Sequence, residues 1–364
     1  MTWKKVIAFF CVLLVAILAI AEIAIRVFYW IDDGPMPVAD ISLNNERKWA
    51  KAHIREGKAI SSTDITYDPD TGWKNAPNLN KPGEQTNSEG MRNRKEFSKH
   101  PIPGRKRLIF VGDSYTYGFL VKNEEAFATV LADEHLPGWD VLNMAVNGTG
   151  TDQQLVTYLK HGREYRPDIV ILGFYVRDYH RNVLSFRGYA KPFYSNKKGK
   201  IQLHSSHVIP PQQLYEEYAS GKRTFEKWYD SYLINSIAHA INKRKERQID
   251  SSAKGWKILE HIIEEFQKSV LESGTTPIWM IIPSRDIFKE EGSRYKILED
   301  LIETKCDEIG MLCLRLENAL RQSQANSEKA IYRPRSEGGH FSVYGNNVVA
   351  KTLYQYLKEK GLLK

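Results

Sequence analysis

Short, mostly apolar runs alternating with helix-length segments constrain this chain more than any other feature. Leu108-Ile109-Phe110-Val111 ends in Gly112, Trp139–Leu142 is a second strand candidate, and Asp168–Phe174 is a third. Between them Glu124–Glu134 and Thr151–Glu164 read as helices, the second broken off by Pro167. Apolar runs without alternation suit strands covered on both faces, and strand–helix–strand units close by right-handed crossovers. The spacing therefore predicts an α/β fold, a three-layer α/β/α sandwich around a mostly parallel sheet. The pattern resumes with a helix at Trp256–Glu272, a strand at Pro277–Ile282, a helix at Tyr295–Ile309, a strand at Met311–Leu316 and a closing helix at Val343–Lys360.

Two stretches lie outside the alternation. Residues 179–255, rich in Tyr, Phe, Lys and Arg, read as an insertion leaving the sheet at its C-terminal edge. One amphipathic helix is expected there, near Phe225–Lys245. Residues 32–104 are polar and read as an irregular extension with one or two short strands, one around Gly90-Met91-Arg92. The expected organisation is an anchor at 1–31, an extension at 32–104, and a domain at 105–364 carrying the insertion.

The N-terminus sets the compartment. Val6 to Ala21 is an unbroken run of 16 apolar residues. A spanning helix needs about 20 residues, which Val6–Ile25 supplies with a single charge near its end. Glu22 and Arg26 are spaced to pair on one helix face, and Tyr29 and Trp30 follow where an interfacial belt would sit. Lys4 and Lys5 precede the run and Asp32 and Asp33 follow it, so the N-terminus is expected in the cytoplasm and the rest outside. Ala19-Ile20-Ala21 also fits the cleavage site of a signal peptide. Continued hydrophobicity beyond it favours an uncleaved anchor, and either reading exports the globular part.

Composition narrows the partners. The 52 Lys and Arg against 44 Asp and Glu give a net charge of +8, which suits anionic partners. Nucleic acid is disfavoured for an exported domain. Three cysteines exclude a disulfide scaffold. Cys11 lies in the apolar run, and Cys306 and Cys313 read equally as an external pair or as two buried thiols. Lys243–Arg247 reads as a solvated basic helix end, or as a contact for anionic lipid or acidic glycan. The aromatics of 186–232 suit either a substrate cleft or packing of the insertion. His204 and His207 form His-x-x-His without further ligands, and His261 with Glu264 and Glu265 matches no zinc pattern.

In parallel sheets the working edge is the C-terminal end of the strands. There stand Gly112-Asp113-Ser114-Tyr115 after the first strand, Asn143–Gly148 after the second and Tyr175-Val176-Arg177-Asp178 after the third. Glu337-Gly338-Gly339-His340-Phe341, followed by Gly345 and Asn346, comes near the end. A serine in the first turn after a buried strand is exposed near a helix N-terminus, whose N–H groups suit a developing oxyanion. An acid three residues before a histidine, in a glycine turn, can orient the imidazole that takes the serine proton.

This ordered set resembles the SGNH (GDSL-like) hydrolase family, over roughly residues 105–178 and 277–360. The resemblance implies a flavodoxin-like SGNH fold and a serine hydrolase with no cofactor or metal. By the same resemblance Ser114 is the nucleophile, His340 the general base and Glu337 the orienting acid. The main-chain N–H groups of Ser114 and Gly148 form the oxyanion hole. Two positions depart from the family pattern. Glu337 stands where Asp is usual, and Arg177 where an Asn usually supplies the third oxyanion donor; Asn182 lies nearby. Asp68–Trp73 and Asn87–Arg92 look like segments of membrane-anchored bacterial members, which implies a single-pass protein of the inner membrane. The expected activity is that of an esterase or O-acyltransferase on an ester such as an O-acetylated envelope polysaccharide. The alternatives are a lipid-acting esterase and a catalytically silent binding or scaffold protein, the last favoured by Arg177 and Glu337.

Overall fold

The computed structural model describes residues 2–60, 62–205, 208–227, 230–289 and 293–363. In chain order its main elements are helices α1 (Trp3–Ile31) and α2 (Ile41–Glu56), then strands β1 (Ile65–Asp68), β2 (Gly72–Asn75), β3 (Arg107–Gly112) and β4 (Asp140–Asn143). Helix α3 (Thr151–Thr157) and strands β5 (Ile169–Tyr175), β6 (Phe193–Lys197) and β7 (Lys200–His204) follow. Next come helices α4 (Pro211–Ala219), α5 (Tyr232–Glu246) and α6 (Lys254–Leu271). Strand β8 (Thr276–Ile282), helix α7 (Lys296–Ile309), strand β9 (Leu312–Arg315) and helices α8 (Glu317–Ala325) and α9 (Val343–Glu359) complete the order. They fall into two compact units.

The larger unit comprises residues 62–183, 191–208 and 248–364. Its sheet has the order β9-β8-β5-β3-β4, and every neighbouring pair is parallel. Counted from its own first strand this is the flavodoxin-like order of a doubly wound sheet. The chain steps from β3 outward to β4, then returns past β3 to β5. Right-handed crossovers in opposite directions put the connecting segments on opposite faces, giving three layers. The switch point falls between the carboxyl ends of β3 and β5, where such sheets bind ligands. β3 and β5 are buried at every position, as their unbroken apolar runs require. Helix α6 supplies Trp256, Leu259, Ile263, Phe266 and Val270 to the core at helical spacing.

Several expected elements differ. Glu124–Glu134 is not one helix. It is a 3-10 turn at Asn123–Glu125, an α-turn at Phe127–Val130 and a wider π-turn at Leu131–His135. Asn346 Oδ1 accepts from Phe127 N at 3.0 Å, and buried Phe127, Val130 and Leu131 set the local path by packing. Gly90-Met91-Arg92 forms no strand, because the turn wraps Asn87, whose Oδ1 accepts from Glu89 N and Met91 N. The strands in that stretch are the β1–β2 hairpin and two short pieces at Asn80–Lys81 and Glu84–Gln85. Residues 62–104 lie within the unit that holds the sheet, and the hairpin β6–β7 from the expected insertion lies there too.

The smaller unit comprises residues 1–61, 184–190 and 209–247. α1 buries none of its described residues, and its most apolar window has a mean hydropathy of 3.0. By length and composition it is long and apolar enough to cross a membrane. The extension contains α2, an element its polar sequence does not announce. Asp40 caps α2 by accepting from Leu43 N at 3.0 Å, and Gly57 ends it in the left-handed region. Trp49 and Ala50 pack with Phe186, Leu214 and Tyr218 as a second, small core. The one helix expected near Phe225–Lys245 is α5, starting later because Ser231 caps it through Ile234 N at 3.1 Å, and α4 precedes it.

Candidate active site

β3 ends at Gly112, and the chain turns at once into a single helical turn, Ser114–Tyr117. Two glycines make that turn possible. A Cβ at Gly112 would stand 2.2 Å from Thr116 Oγ1, and one at Gly173, its neighbour on β5, 2.1 Å. Thr116 therefore fills a notch that any larger residue would close. Gly173→Ala is expected to destabilise the fold by about 1–3 kcal/mol through overpacking and to lower turnover with it. Thermal melts and rates on the same preparation check this.

Asp113 Oδ1 caps the turn by accepting from Tyr115 N at 2.9 Å. Behind it Arg181 Nη1 lies 3.0 Å from Asp113 Oδ2 and 2.6 Å from Asp178 Oδ1, and donates to Thr149 O at 2.8 Å. Gln154 Nε2 donates to Asp178 Oδ2 at 2.8 Å. The buried carboxylates behind the turn thus share one guanidinium, which removes the cost of leaving either charge alone. Sequence reasoning did not find Arg181. Its only signal is the i,i+3 spacing from Asp178.

Ser114 is 9% exposed, and its Oγ lies 2.8 Å from His340 Nε2 across 226 residues of chain. The hydroxyl has one proton. Asp113 Oδ2, the other acceptor, is at 3.4 Å and already holds Arg181. The proton therefore belongs on the line to Nε2, and the imidazole proton on Nδ1. The ring packs against Tyr115 at 4.8 Å and Phe119 at 5.2 Å between centroids, and Tyr115 OH donates to Gly339 O at 3.1 Å. Burial pushes the His340 pKa below its ordinary 6.5, against the charge of Asp113 and the Gly338 main chain; Arg181 adds to the lowering. A neutral base near neutral pH results.

The structure does not bring Glu337 to His340. Glu337 is 53% exposed on its side chain, and its Oε2 sits 2.9 Å from Arg333 Nη2. Gly338 and Gly339 both take left-handed backbone, with φ of 92° and 70°, and turn the chain between acid and imidazole. His340 Nδ1 is buried beside the main chain of Gly338, with no partner of standard hydrogen-bond geometry among the described residues. Arg177 also turns elsewhere, its Nη2 lying 3.3 Å from Asp286 Oδ2. Arg335 at 3.0 Å and Lys289 at 2.9 Å meet the same carboxylate. Burial would raise the Asp286 pKa, but these cations, Lys289 foremost, hold it below the usual range.

Gly148 stands in the loop after β4 with φ of 80°. That loop is tied to the end of β3, since Gly112 O accepts from Val146 N at 3.0 Å and from Thr149 Oγ1 at 3.3 Å. It is also braced from upstream. Trp73 Nε1 donates to Asn147 O at 3.0 Å, and Asn75 Nδ2 to Ala145 O at 2.9 Å. Asn182 Oδ1 accepts from Thr151 N at 2.8 Å, where α3 begins.

Other candidate ligands have local neighbours. Asp68, Asp70 and His161 bring ligand atoms within 4.8 Å of one another. Asp68 already accepts twice from Thr71 and faces His161 at 3.4 Å, and Lys160 faces Asp70 at 3.3 Å. His204 bonds Ser195 Oγ at 2.8 Å and stacks on Phe193, while His207 lies outside the described residues. His261 faces Glu265 at 3.5 Å. Cys306 and Cys313 are free thiols, the first buried.

No family model and no curated protein matches the chain. Among solved structures it is similar to a putative lipolytic protein of the G-D-S-L family from Desulfitobacterium hafniense DCB-2, at 10% identity and a TM-score of 0.37, over 70% of this chain and 100% of that one. It is similar to LAE5, an alpha/beta hydrolase enzyme from the metagenome of Lake Arreo, at 12% identity and a TM-score of 0.42, over 71% of this chain and 96% of that one. It is also similar to an acetyl xylan esterase, AlAXEase, at 14% identity and a TM-score of 0.37, over 68% of this chain and 98% of that one.

Proposed function

We propose that this chain is a serine esterase of the SGNH (GDSL-like) hydrolase family, held at the bacterial inner membrane by α1 with its larger unit outside the cytoplasm. The observation that carries the reading is the 2.8 Å contact of Ser114 Oγ with His340 Nε2 at the switch point of the sheet. Ser114 Oγ attacks the ester carbonyl while His340 Nε2 takes its proton. The oxyanion is received by the main-chain N–H groups of Ser114 and Gly148. Ser114 is the first residue of its helical turn, a position whose N–H has no intrahelical partner. The tetrahedral intermediate then expels the alkoxide, and His340 returns the proton to it. Water completes hydrolysis of the acyl-Ser114 ester; a sugar hydroxyl in its place completes acyl transfer. The substrate class is an acyl ester of the envelope, with O-acetyl groups of a polysaccharide the leading candidate.

Arg177 faces Asp286 and Glu337 faces Arg333, so neither is assigned a role in the reaction. The working unit proposed is therefore a Ser114–His340 pair. His340→Ala is expected to reduce kcat by about 1,000-fold or more, and Glu337→Gln by less than about tenfold. Steady-state kinetics of both variants on p-nitrophenyl acetate check the contrast. Base catalysis needs neutral His340, so kcat/KM falls as pH drops through its pKa. Because that pKa lies below 6.5, the acid limb is expected below the ordinary imidazole range, with a plateau from there to neutral pH. A pH–rate profile measures it.

The engagement of Arg177 and Glu337 with other partners also favours a second reading, a silent glycan-binding or scaffold member. Equal background rates for the parent chain and Ser114→Ala would decide for that reading.

A further inference from the structure

Glu22 and Arg26, the two charges in the outer half of α1, are both taken up by the start of α5. Glu22 accepts from Ser231 Oγ at 2.9 Å and from the main-chain N–H groups of Tyr232 at 3.0 Å and Leu233 at 2.8 Å. A carboxylate so placed complements the positive end of the helix dipole. Arg26 bonds Glu22 at 2.7 Å, donates to Asp230 O at 2.7 Å and covers the Tyr232 ring at 4.5 Å. Charged groups within an apolar helix are stable when they are paired in this way. The start of α5 is thereby fixed at the level of Leu18 to Glu22 on α1, where Val15, Leu18, Ala19, Leu233 and Ile234 line a groove beside the Glu22, Arg26 and Ser231 cluster.

The other end of α5 is tied farther along the chain. His239 Nδ1 bonds Val38 O at 2.9 Å, and Asn242 Nδ2 donates to Ala39 O at 2.8 Å, both beyond the end of α1. Ile234, Ile237 and Ile241 point away from these anchors, 68%, 54% and 49% exposed and spaced by three and four residues. After them come exposed Lys243, Arg244, Lys245 and Arg247. The helix therefore runs from an apolar end against α1 to a basic end tied to the segment that follows α1.

We propose that α5 is an interfacial helix seated in the outer leaflet of the bilayer that α1 spans. Its isoleucine stripe enters the acyl boundary, and its basic end meets lipid phosphates. Two observations select lipid as the occupant. The stripe continues the apolar surface of α1 through their shared groove, and the charge gradient along α5 follows the passage from acyl chains to anionic headgroups. The proposal rests on α1 being a retained membrane span and is independent of the hydrolase chemistry.

The test uses the full chain in vesicles of phosphatidylethanolamine and phosphatidylglycerol, with Cys306 and Cys313 replaced by Ala. An environment-sensitive fluorophore is attached at Cys11 or, with Cys11→Ala, at Ile237→Cys, Ile241→Cys or Lys198→Cys. Each label is challenged with nitroxide-bearing lipid and separately with aqueous iodide. The expected result is that Cys11, Ile237 and Ile241 labels lose more than half their emission to the nitroxide lipid and resist iodide, whereas the Lys198 label is quenched by iodide. Iodide quenching at 237 and 241 with Cys11 in lipid overturns the α5 proposal and leaves the anchor standing. Resistance to both quenchers at 237 and 241 means that protein, such as a second copy, covers the stripe, and overturns it too. A Cys11 label outside lipid overturns the anchor reading and the proposal together.

Discussion

Replacing Ser114 with Ala is expected to lower turnover of p-nitrophenyl acetate by at least about 1,000-fold, because it removes the hydroxyl that meets His340 Nε2. The hydroxyl is nearly buried and makes its short contact with His340 Nε2, so its loss removes the nucleophile without removing packing volume of consequence. Stability is expected to change by no more than about 1.5 kcal/mol, the worth of one hydrogen bond. Asp113, Arg181 and Tyr115 keep their own partners in the variant, so the turn stays in place. A folded variant with no rate above background supports the proposed chemistry. A folded variant with the parent rate sinks it. Measuring the acyl-enzyme burst in the parent chain separates a slow chemical step from slow release.

The largest effect on stability is expected at Lys191. Its ammonium and the Asp152 carboxylate are both fully buried and paired, and Lys191 Nζ also donates to Pro192 O at 2.9 Å. Burial pushes the Asp152 pKa up, while Lys191 works against that rise. Lys191→Met leaves the carboxylate without its counter-charge, at an expected cost of about 3–5 kcal/mol. Adding Asp152→Asn removes the orphaned charge and keeps the side-chain oxygen that accepts from Gln153 N, so the double variant is expected to recover most of the loss. In the single variant, a carboxyl with a raised folded-state pKa binds its proton more tightly folded than unfolded. Its penalty is smallest at acid pH and grows as pH rises through that pKa. Urea unfolding of the full chain at several pH values measures both the cost and its pH dependence.

The sheet was legible because β3, β5 and β8 carry unbroken apolar runs, and their observed ends differ from the expected ones by a residue or so. α2 was not legible, because only Trp49 and Ala50 among its buried residues are apolar. Its signals were confined to its ends, Asp40 as a cap and Gly57 as a stop. In the site, Ser114 was legible from its glycine-flanked turn after a strand, and His340 from the two glycines before it. Glu337 had the right spacing, but spacing does not fix direction. Two left-handed glycines turn it toward Arg333. The partners of Arg177 and Arg181 were hidden for different reasons. Asp286 lies 109 residues from Arg177, whereas Asp178 lies within a turn of Arg181 at a spacing that does not by itself mark a pair.

The smaller unit is assembled from three separated stretches of chain. Its first stretch is synthesised more than a hundred residues before its last. During that interval Glu22 has no helix to cap and Trp49 lacks Leu214 and Tyr218, while β3, β4 and β5 have all emerged. The smaller unit therefore matures after the first three strands are available, and in the meantime its apolar surface is open to holding factors or to misassembly.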